Sequence, residues 1–400
     1  MNAYIVGSNK KIEPFGDHPR DCLIGNRKLG DIQREVLQSL GLTLKTTSNA
    51  QQIEDPDEHI IFVDSLLFSK ELLQEFIKQS RKLKCPTICA VKPPDLTGVC
   101  DRVLATQEVQ ISPDRIEYGL RYVPPLTSVG EPVPVLIDVE QHSVKLPMPE
   151  HMLGCRDVSF LMSDRILVQI DHWVNLHNAN MAMLEAVPAR RLLNSKAKIL
   201  RAVLRARSLN KWKVLHQINK IGKNCDIHPT AWIESSTLGN NVHVGAGSVI
   251  SGSLVGDNNL IGPGVTMEAS VTGDRCFIGR GTTLGCALLY PGVLGMANLI
   301  QFAVIGRDAF LGDGVTISDY RIDGRNVMVM KDGMPVDTGS RVSGACLGHG
   351  VYLAAGCVVG PGRAIPNGMH IAPERSRYIS SWDGDGNMPG HQRVTIQPDR

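Results

Sequence analysis

The chain has 400 residues, a length at which two or three domains are expected rather than one. Hydrophobic residues make up 42% and charged residues 20%, which excludes a largely disordered chain, and the net charge of +2 predicts no nucleic acid partner. No run of about 18 apolar residues and no signal-peptide pattern is present, so we expect a cytoplasmic protein. The ten cysteines are scattered, which predicts reduced thiols.

Residues 1–185 predict an α/β domain. Short β-like runs alternate there with helical patterns, which is typical of helices packed on a mostly parallel sheet. Ser69 is the N-cap candidate of the second helix. The β-like runs lie at 3–6, 59–63, 87–91 and 133–139, and the helical patterns lie at 31–40 and 70–83.

Residues 186–220 form a predicted basic helical linker. Between residues 189 and 223 there are eleven lysines and arginines and no acidic residue. Apolar residues at helical spacing after Pro188 indicate an amphipathic helix. In one interpretation, which we favour, this helix packs against the following domain and acidic residues of the first domain neutralise its positive charges. In the other, segment 189–223 docks on an anionic membrane surface or a polyphosphate-bearing partner.

The second half of the chain is a repeat punctuated by glycine. Thirty of the 39 glycines lie between Gly222 and Gly390, and aliphatic residues recur there every six positions. A period of six fits short strands joined by turns and stacked as a solenoid. We predict this solenoid over residues 221–375, with a loop or hairpin excursion at 320–341 and a loop-like tail at 376–400. The ladder consists of Ile221, Ile227, Ile233, Val244, Ile250, Val255, Ile261, Ile305, Leu311, Ile317, Leu347, Leu353, Val359, Ile365 and Ile371.

This ladder resembles the hexapeptide repeat of left-handed parallel β-helices, in which three hexads make a triangular coil of roughly eighteen residues, giving about seven coils here. The first domain contains MNAYIV at 1–6, PRDCLIGNRKL at 19–29, Gln33 on a helix and IIFVDSLLF at 60–68, which is similar to the opening motifs of sugar-1-phosphate nucleotidylyltransferases. The whole chain resembles the bifunctional N-acetylglucosamine-1-phosphate uridylyltransferase/glucosamine-1-phosphate acetyltransferase and its archaeal relatives. The resemblance implies a nucleotidylyltransferase-like, Rossmann-like α/β domain, the basic linker and a left-handed parallel β-helix.

For the first domain the resemblance implies a site for a nucleoside triphosphate and Mg²⁺. The candidate phosphate-site residues are Gly7 and Lys10 in the loop after the first strand, Arg20 in place of the family lysine, and Asp64, one place before the family's metal-binding aspartate. The loop lacks the family's Gly-Thr-Arg unit. This favours a degenerate domain, kept for structure, regulation or weak nucleotide binding, over an active nucleotidylyltransferase.

For the solenoid the resemblance implies acetyl transfer from acetyl-CoA or another acyl-CoA to a sugar phosphate. Met296 stands where the family has its general-base histidine, Asp319 where it has an asparagine, and Arg325 where it has a lysine. Because methionine cannot take a proton, the base must come from elsewhere. His349 in the Leu-Gly-His-Gly turn is the first candidate and Asp319 the second; a structural or subunit-interface role for His349 has equal weight.

The remaining expectations concern the cofactor, assembly and metals. In the family, coenzyme A binds along the late coils. Two segments of small residues match these coils here: Ala354, Ala355 and Gly356, and Pro361 and Gly362. The alternative is that these residues are small because tight β-helix corners require it. The family resemblance implies a homotrimer. No two histidines of the solenoid are spaced as in the hexapeptide-repeat carbonic anhydrases, so no metal site is expected.

Three functions remain. The first is a coenzyme A-dependent acyltransferase of the sugar-nucleotide pathway class, the second is a sugar-1-phosphate nucleotidylyltransferase, and the third is a catalytically inactive trimeric scaffold or regulatory protein. Met296 weakens the first, the missing Gly-Thr-Arg loop weakens the second, and both favour the third. We place the acyltransferase first because the resemblance covers nearly the whole chain and a coil can recruit a base from another turn.

Overall fold

The computed structural model describes residues 1–93, 104–126, 131–139, 143–147, 157–161, 164–186 and 196–374. The expected tail and the predicted start of the linker helix at Pro188 lie outside these residues. Within them, an α/β domain and two basic helices precede a left-handed parallel β-helix, as the sequence predicts. No helix among the described residues has the length and apolar character needed to cross a bilayer.

The elements before the β-helix are numbered in chain order. They are β1 (Asn2–Val6), β2 (Leu23–Ile24), β3 (Arg27–Lys28), α1 (Leu29–Ser39), β4 (Thr43–Thr47), β5 (His59–Val63), β6 (Leu66–Phe68), α2 (Lys70–Leu83), β7 (Thr87–Val91), β8 (Gln110–Ile111), β9 (Ile116–Val123), β10 (Val133–Leu136), β11 (Ser143–Pro147), β12 (Asp157–Leu161), β13 (Leu167–Gln169), α3 (Trp173–Ala186), α4 (Lys196–Ala206) and α5 (Lys211–His216).

The main sheet of the first domain has the order β10-β7-β9-β5-β1-β4, with β8 paired to β9. Strand β1 is parallel to β4 and β5, and β7 is parallel to β10, whereas β9 is antiparallel to both neighbours. Ser69 caps α2 by accepting a hydrogen bond from the Leu72 amide, as predicted. The parallel arrangement of β1, β4 and β5 brings their carboxyl ends to one edge, where open α/β sheets bind ligands.

Three parallel sheets form the faces of the β-helix prism. The first face consists of Lys220–Ile221, Thr237–Leu238, Leu254–Val255, Val271–Thr272, Leu288–Leu289, Val304–Ile305, Cys346–Leu347 and Ala364–Ile365. The second face consists of Asp226–Ile227, His243–Val244, Leu260–Ile261, Phe277–Ile278, Leu294–Gly295, Phe310–Leu311, Tyr352–Leu353 and His370–Ile371. The third face consists of Trp232–Glu234, Val249–Ser251, Thr266–Glu268, Thr283–Gly285, Leu299–Gln301, Thr316–Ile317 and Val358–Val359.

Most coils advance by 17 residues rather than the expected eighteen, as the hydrogen bond from the Asn240 amide to Asp257 shows. The side that returns from the third face to the first is one residue short, so Leu238 follows Ile233 after five positions. This shorter side breaks the period of six once in each such coil, whereas steps such as Ile261 to Met267 keep it. The first corner, between the first and second faces, is turned by left-handed residues at the same spacing, Asn224, Asn241, Asn258, Arg275 and Gly292.

The second corner joins the second and third faces, and the third corner returns the chain to the first face. A hairpin with strands Met328–Lys331 and Met334–Asp337 leaves the third corner, within residues 320–341. Its turn passes through Asp332 and Gly333, both with positive φ. Tyr320 and Val342 pair at its root.

The first face of the coil is covered by the α/β domain. Outward residues of this face, including Val271, Leu288 and Val304, form one buried apolar cluster with Trp173 and Leu176 of α3. The coil interior and the sheet of the first domain form two further clusters. Each large aliphatic side chain buried in these clusters contributes about 1.5 to 3 kcal/mol, so the two parts of the chain are firmly joined.

Candidate functional site

A pocket of about 460 Å³ lies at the carboxyl ends of β1 and β5. Gly7 follows β1, and Asp64 follows β5, so both predicted residues line it. Ser8 donates hydrogen bonds to the Asp64 carboxylate from its amide at 2.7 Å and from its hydroxyl at 2.9 Å. Gln33 of α1 holds the same turn from behind, because its Nε2 donates to the Asp64 carbonyl oxygen at 3.0 Å.

Arg20 lies across the first turn of α1 and completes this pocket. Glycine at position 30 makes room for it, since a Cβ there would lie 3.1 Å from the Arg20 Nε. That Nε is buried without a hydrogen-bond partner, and Arg20 forms no ion pair within the described part of the chain. By contrast, Lys28 at the pocket rim donates to Asp21 at 2.9 Å. Arg20 is therefore the cation that remains available to an anionic ligand.

The structure brings together three of the four predicted phosphate-site residues. Lys10, the fourth, lies outside the pocket lining and pairs with Glu108. Ser8 and Arg34, which were not predicted from the sequence, also line the pocket; Arg34 pairs with Asp31 at 2.8 Å. The Gly-Ser turn directly after a strand was the available signal for Ser8.

His349 occupies the first corner, where the α/β domain covers it. Its side chain is 19% exposed, and its ring stacks on Phe15 with centroids 4.9 Å apart. Nδ1 accepts a hydrogen bond from the Arg307 backbone amide at 2.8 Å, and Nε2 lies 3.3 Å from the Asp17 carboxylate. Both ring nitrogens are thus engaged by neighbouring groups.

Asp17 and Arg307 form the ionic part of this contact, with Arg307 Nη2 donating to the carboxylate at 2.6 Å. Burial raises the pKa of Asp17, but hydrogen bonds from His349 and Arg307 outweigh it and hold the pKa below its ordinary value. Tyr290 lies beneath, buried, with the Arg307 guanidinium 5.2 Å from its ring centre. This arrangement fastens a loop of the first domain to the coil.

Asp319 lies at the third corner, at the root of the hairpin. When the Gln301 amide is oriented with its nitrogen toward Asp319, it donates to both carboxylate oxygens, at 3.1 and 3.2 Å. The Asp319 carbonyl accepts from the Ser343 amide at 2.8 Å, which closes the root. Burial raises the pKa of the Asp319 carboxyl above its ordinary value.

A hollow of about 620 Å³ on the hairpin is lined by three arginines, Arg321, Arg325 and Arg341. Arg321 is paired with Asp323, while the exposed Arg325 is 3.9 Å from the same carboxylate. Arg341 forms no ion pair among the described residues. Asp319 and Arg325 thus belong to the same hairpin, and His349 lies at a different corner of the prism.

The predicted coenzyme A residues lie at two corners. Ala354, Ala355 and Gly356 form the second corner, Pro361 and Gly362 the third, and the strand Val358–Val359 separates them. A Cβ at Gly312 would come within 2.8 Å of the Ala355 amide, so the coils approach closely there. In the described part of the chain, no group of three or more His, Cys, Asp or Glu side chains is placed to hold a metal.

Comparison with known proteins gives matches to solved structures alone. No family model and no curated protein matches the chain. A candidate acetyltransferase from Bacillus cereus is 18% identical, over 39% of this chain and 79% of its own, with a TM-score of 0.16. A mutant of GDP-perosamine N-acetyl transferase from Caulobacter crescentus, in complex with CoA and GDP-perosamine, is 18% identical, over 40% of this chain and 58% of its own, with a TM-score of 0.15.

Proposed function

We propose that this chain is a coenzyme A-dependent acyltransferase that acts on a sugar phosphate or nucleotide sugar. The observation that carries the proposal is Asp319, a half-buried carboxylate with a raised pKa at the root of an arginine-lined hairpin. Acyl transfer from a thioester to an amine needs a base for the amine proton, a site for the acceptor and a groove for the donor.

Asp319 supplies the base. The amine lone pair of the acceptor attacks the thioester carbonyl and the amine proton passes to the Asp319 carboxylate. The bond to sulfur then breaks, and Asp319 returns the proton to the departing sulfur, so that coenzyme A leaves as its thiol and the carboxylate is regenerated. A carboxylate whose pKa is raised by burial accepts a proton more readily than an exposed one. Gln301 fixes its orientation through the amide contacts. His349 suits a positioning role better, because hydrogen-bond partners occupy both ring nitrogens.

The hairpin arginines supply the acceptor site. Arginine presents several donors in a planar fork that matches phosphate oxygens. Arg341 has no ion pair in the described structure and Arg325 has only a 3.9 Å contact with Asp323, so these two would hold the phosphate of the sugar. The small residues Ala354 to Gly356 and Pro361 to Gly362 flank the third face at its late coils, where they would let a pantetheine arm approach the backbone.

The second face carries the surface for assembly into a homotrimer. Leu260, Phe277, Leu294 and Tyr352 are exposed on consecutive or nearly consecutive rungs of this flat sheet. An apolar stripe of this extent on a rigid face is typical of a subunit interface. Light scattering should give three times the mass of one chain, and replacing Phe277 and Leu294 by aspartate should return the protein to a monomer.

The catalytic proposal is tested by following release of the coenzyme A thiol from acetyl-CoA, with glucosamine 1-phosphate as the first acceptor. Asp319→Asn should lower kcat by about a hundredfold or more, since loss of a general base typically costs that much. It should also remove the rise of kcat/KM with pH expected for a base that works deprotonated. Asp226→Asn, which removes an exposed carboxylate on an early coil, is the control. Full activity in Asp319→Asn, or thioester turnover abolished equally by both changes, would refute the assignment.

A second candidate function, phosphate-ligand binding in the first domain, is favoured by the meeting of Gly7, Arg20 and Asp64. These residues fit a phosphate group. They fit the metal-bound triphosphate of a nucleotidylyltransferase poorly, because Ser8 already donates to both oxygens of Asp64 and the other aspartates lining the pocket are paired with cations. We therefore propose that the pocket binds a phosphate-bearing ligand and does not catalyse nucleotidyl transfer.

Calorimetric titration with UTP, with and without Mg²⁺, tests this candidate. Arg20→Ala should weaken binding about tenfold or more, because hydrogen bonds to charged groups contribute about 1.5 to 3 kcal/mol. Arg27→Ala, which breaks only an exposed pair with Glu35, should bind as the unmodified protein does. Binding that requires Mg²⁺, or that is indifferent to Arg20, would contradict the assignment.

A further inference from the structure

The basic segment, defined as residues 200–213, joins the end of α4 to α5 and presents unpaired cations. Arg201, Arg205, Arg207, Lys211 and Lys213 form no ion pair with any side chain in the described part of the chain. Among the described residues, no acidic side chain of the first domain pairs with these cations, so the expected neutralisation is not seen there. The sequence from 189 to 223 contains no acid that could do so locally.

Large apolar side chains lie beside these cations and face outward. Leu200 is 60% exposed, Leu204 66%, Leu209 89% and Trp212 49%. On α4 the two leucines are one turn apart, as are Arg201 and Arg205, so the helix presents a leucine stripe next to an arginine stripe. Leucine and tryptophan side chains grouped in one exposed patch are costly to leave facing water. The cations beside them are solvated, and Lys211 Nζ lies 4.5 Å from the centre of the Trp212 ring.

The opposite side of the segment is anchored to the protein. Ala202 of α4 and Val214 of α5 are buried. His216 Nδ1 lies 2.7 Å from the Ile233 carbonyl oxygen, and its ring stacks on Trp232. The inner side is thus held against the first coil, and the amphipathic outer side is presented as a fixed surface.

We propose that the basic segment docks the protein on an anionic lipid bilayer. The outward leucines and Trp212 enter the headgroup region, where tryptophan is favoured, and the five cations meet the phosphates and carboxylates of acidic lipids. The cations alone would suit a nucleic acid partner, which binds through its phosphates. Such a partner would leave the outward-facing Leu200, Leu204 and Leu209 without a role. The segment lies on the membrane, because neither α4 nor α5 can span it.

Flotation with phosphatidylcholine vesicles, with and without phosphatidylserine, tests the proposal on the full chain. Each cation near an anionic surface contributes about 1 kcal/mol, which is about fivefold in the partition coefficient. Arg201→Glu with Arg205→Glu should therefore lower binding to phosphatidylserine vesicles by at least about 25-fold. Trp212→Ser should weaken the same binding, and raising the salt concentration should reduce it in the unmodified protein.

The matched control is Lys82→Glu with Lys84→Glu, which makes the same charge change at exposed lysines at the end of α2. Its binding should equal that of the unmodified protein. Equal binding to neutral and anionic vesicles, equal loss in both charge variants, or no vesicle binding would overturn the proposal. Should the unmodified protein ignore vesicles while the arginine variant changes its mass in light scattering, the segment is an interface between copies of the chain instead.

Discussion

Acidification should loosen the contact between the hairpin and the α/β domain through His172. This histidine is buried, its Nδ1 accepts from the Val174 amide at 3.3 Å, and its Nε2 lies 3.1 Å from the Met330 carbonyl oxygen on the hairpin. Burial lowers its pKa from 6.5 to about 4, with a further lowering by nearby Lys331. The unfolded chain therefore takes up the proton first as the pH falls.

The size of the effect follows from linkage. Stability conferred by the neutral ring is present above the ordinary pKa of 6.5 and is lost as the pH falls from there toward the folded value of about 4. Between about pH 7 and about pH 5 this single group should remove about 2 kcal/mol from the free energy of unfolding. Hydrogen exchange should report the loss first at the hairpin strand Met328–Lys331, which His172 contacts.

The comparison with His172→Gln isolates this term. Glutamine can still donate to the Met330 carbonyl but does not titrate, so the stability difference between about pH 7 and about pH 5 should shrink by about 2 kcal/mol in urea unfolding. His228→Gln, at an exposed corner, should leave the difference unchanged. An unchanged pH dependence in His172→Gln would show that the buried ring does not titrate as argued.

Three further changes test the packing. Ile250→Ala in the coil core should cost about 2 to 5 kcal/mol in urea unfolding, whereas Val249→Ala on the outer surface of the third face should cost far less; equal costs would contradict the assigned directions of the two side chains. Gly306→Ala places a Cβ 2.5 Å from the backbone of the next coil and should lower Tm, whereas Gly360→Ala meets nothing within 4 Å and should not. Asp17→Asn should lower the free energy of unfolding at neutral pH. It should also reduce the loss of that free energy below about pH 4, because the Asp17 carboxylate, whose pKa is lowered in the folded protein, stops stabilising the fold once it is protonated. An unchanged dependence of the unfolding free energy on pH in this acid range would refute the argument.

The solenoid could be predicted from sequence because its signal is local and repeated. Each inward aliphatic residue is followed by a corner, and corners that need a left-handed residue select asparagine or glycine at fixed spacing, as at Asn241 and Asn258. The expected coil of eighteen residues was wrong by one, because one step in each coil takes five positions instead of six, as from Ile233 to Leu238 and from Ile250 to Val255. The sheet-edge pocket was predictable for a similar reason, since Gly7 and Asp64 each follow a recognisable strand.

The environment of His349 could not be predicted in the same way. Its carboxylate neighbour, Asp17, lies 332 residues earlier in the chain, and Arg307 reaches that carboxylate across 290 residues. The repeat pattern around His349 does not indicate that a loop of the first domain covers this corner. The repeat therefore gives the corner position of this residue but not its burial, whereas the partners of Asp319, Gln301 and Ser343, come from the neighbouring coil and from the root of the excursion.

The fold separates the proposed membrane surface from the proposed acyl-transfer site. Helix α5 packs on the first strand of the third face, Trp232–Glu234, and the hairpin leaves the coil after the sixth, Thr316–Ile317. At about 4.8 Å between neighbouring parallel strands, the two places are about 24 Å apart along the prism. The Arg201 and Arg205 reversals should therefore leave acyl transfer in solution unchanged, and Asp319→Asn should leave flotation unchanged. If either variant altered both measurements, the two surfaces would have to be coupled through the coil, which its rigid, repeated packing gives no reason to expect.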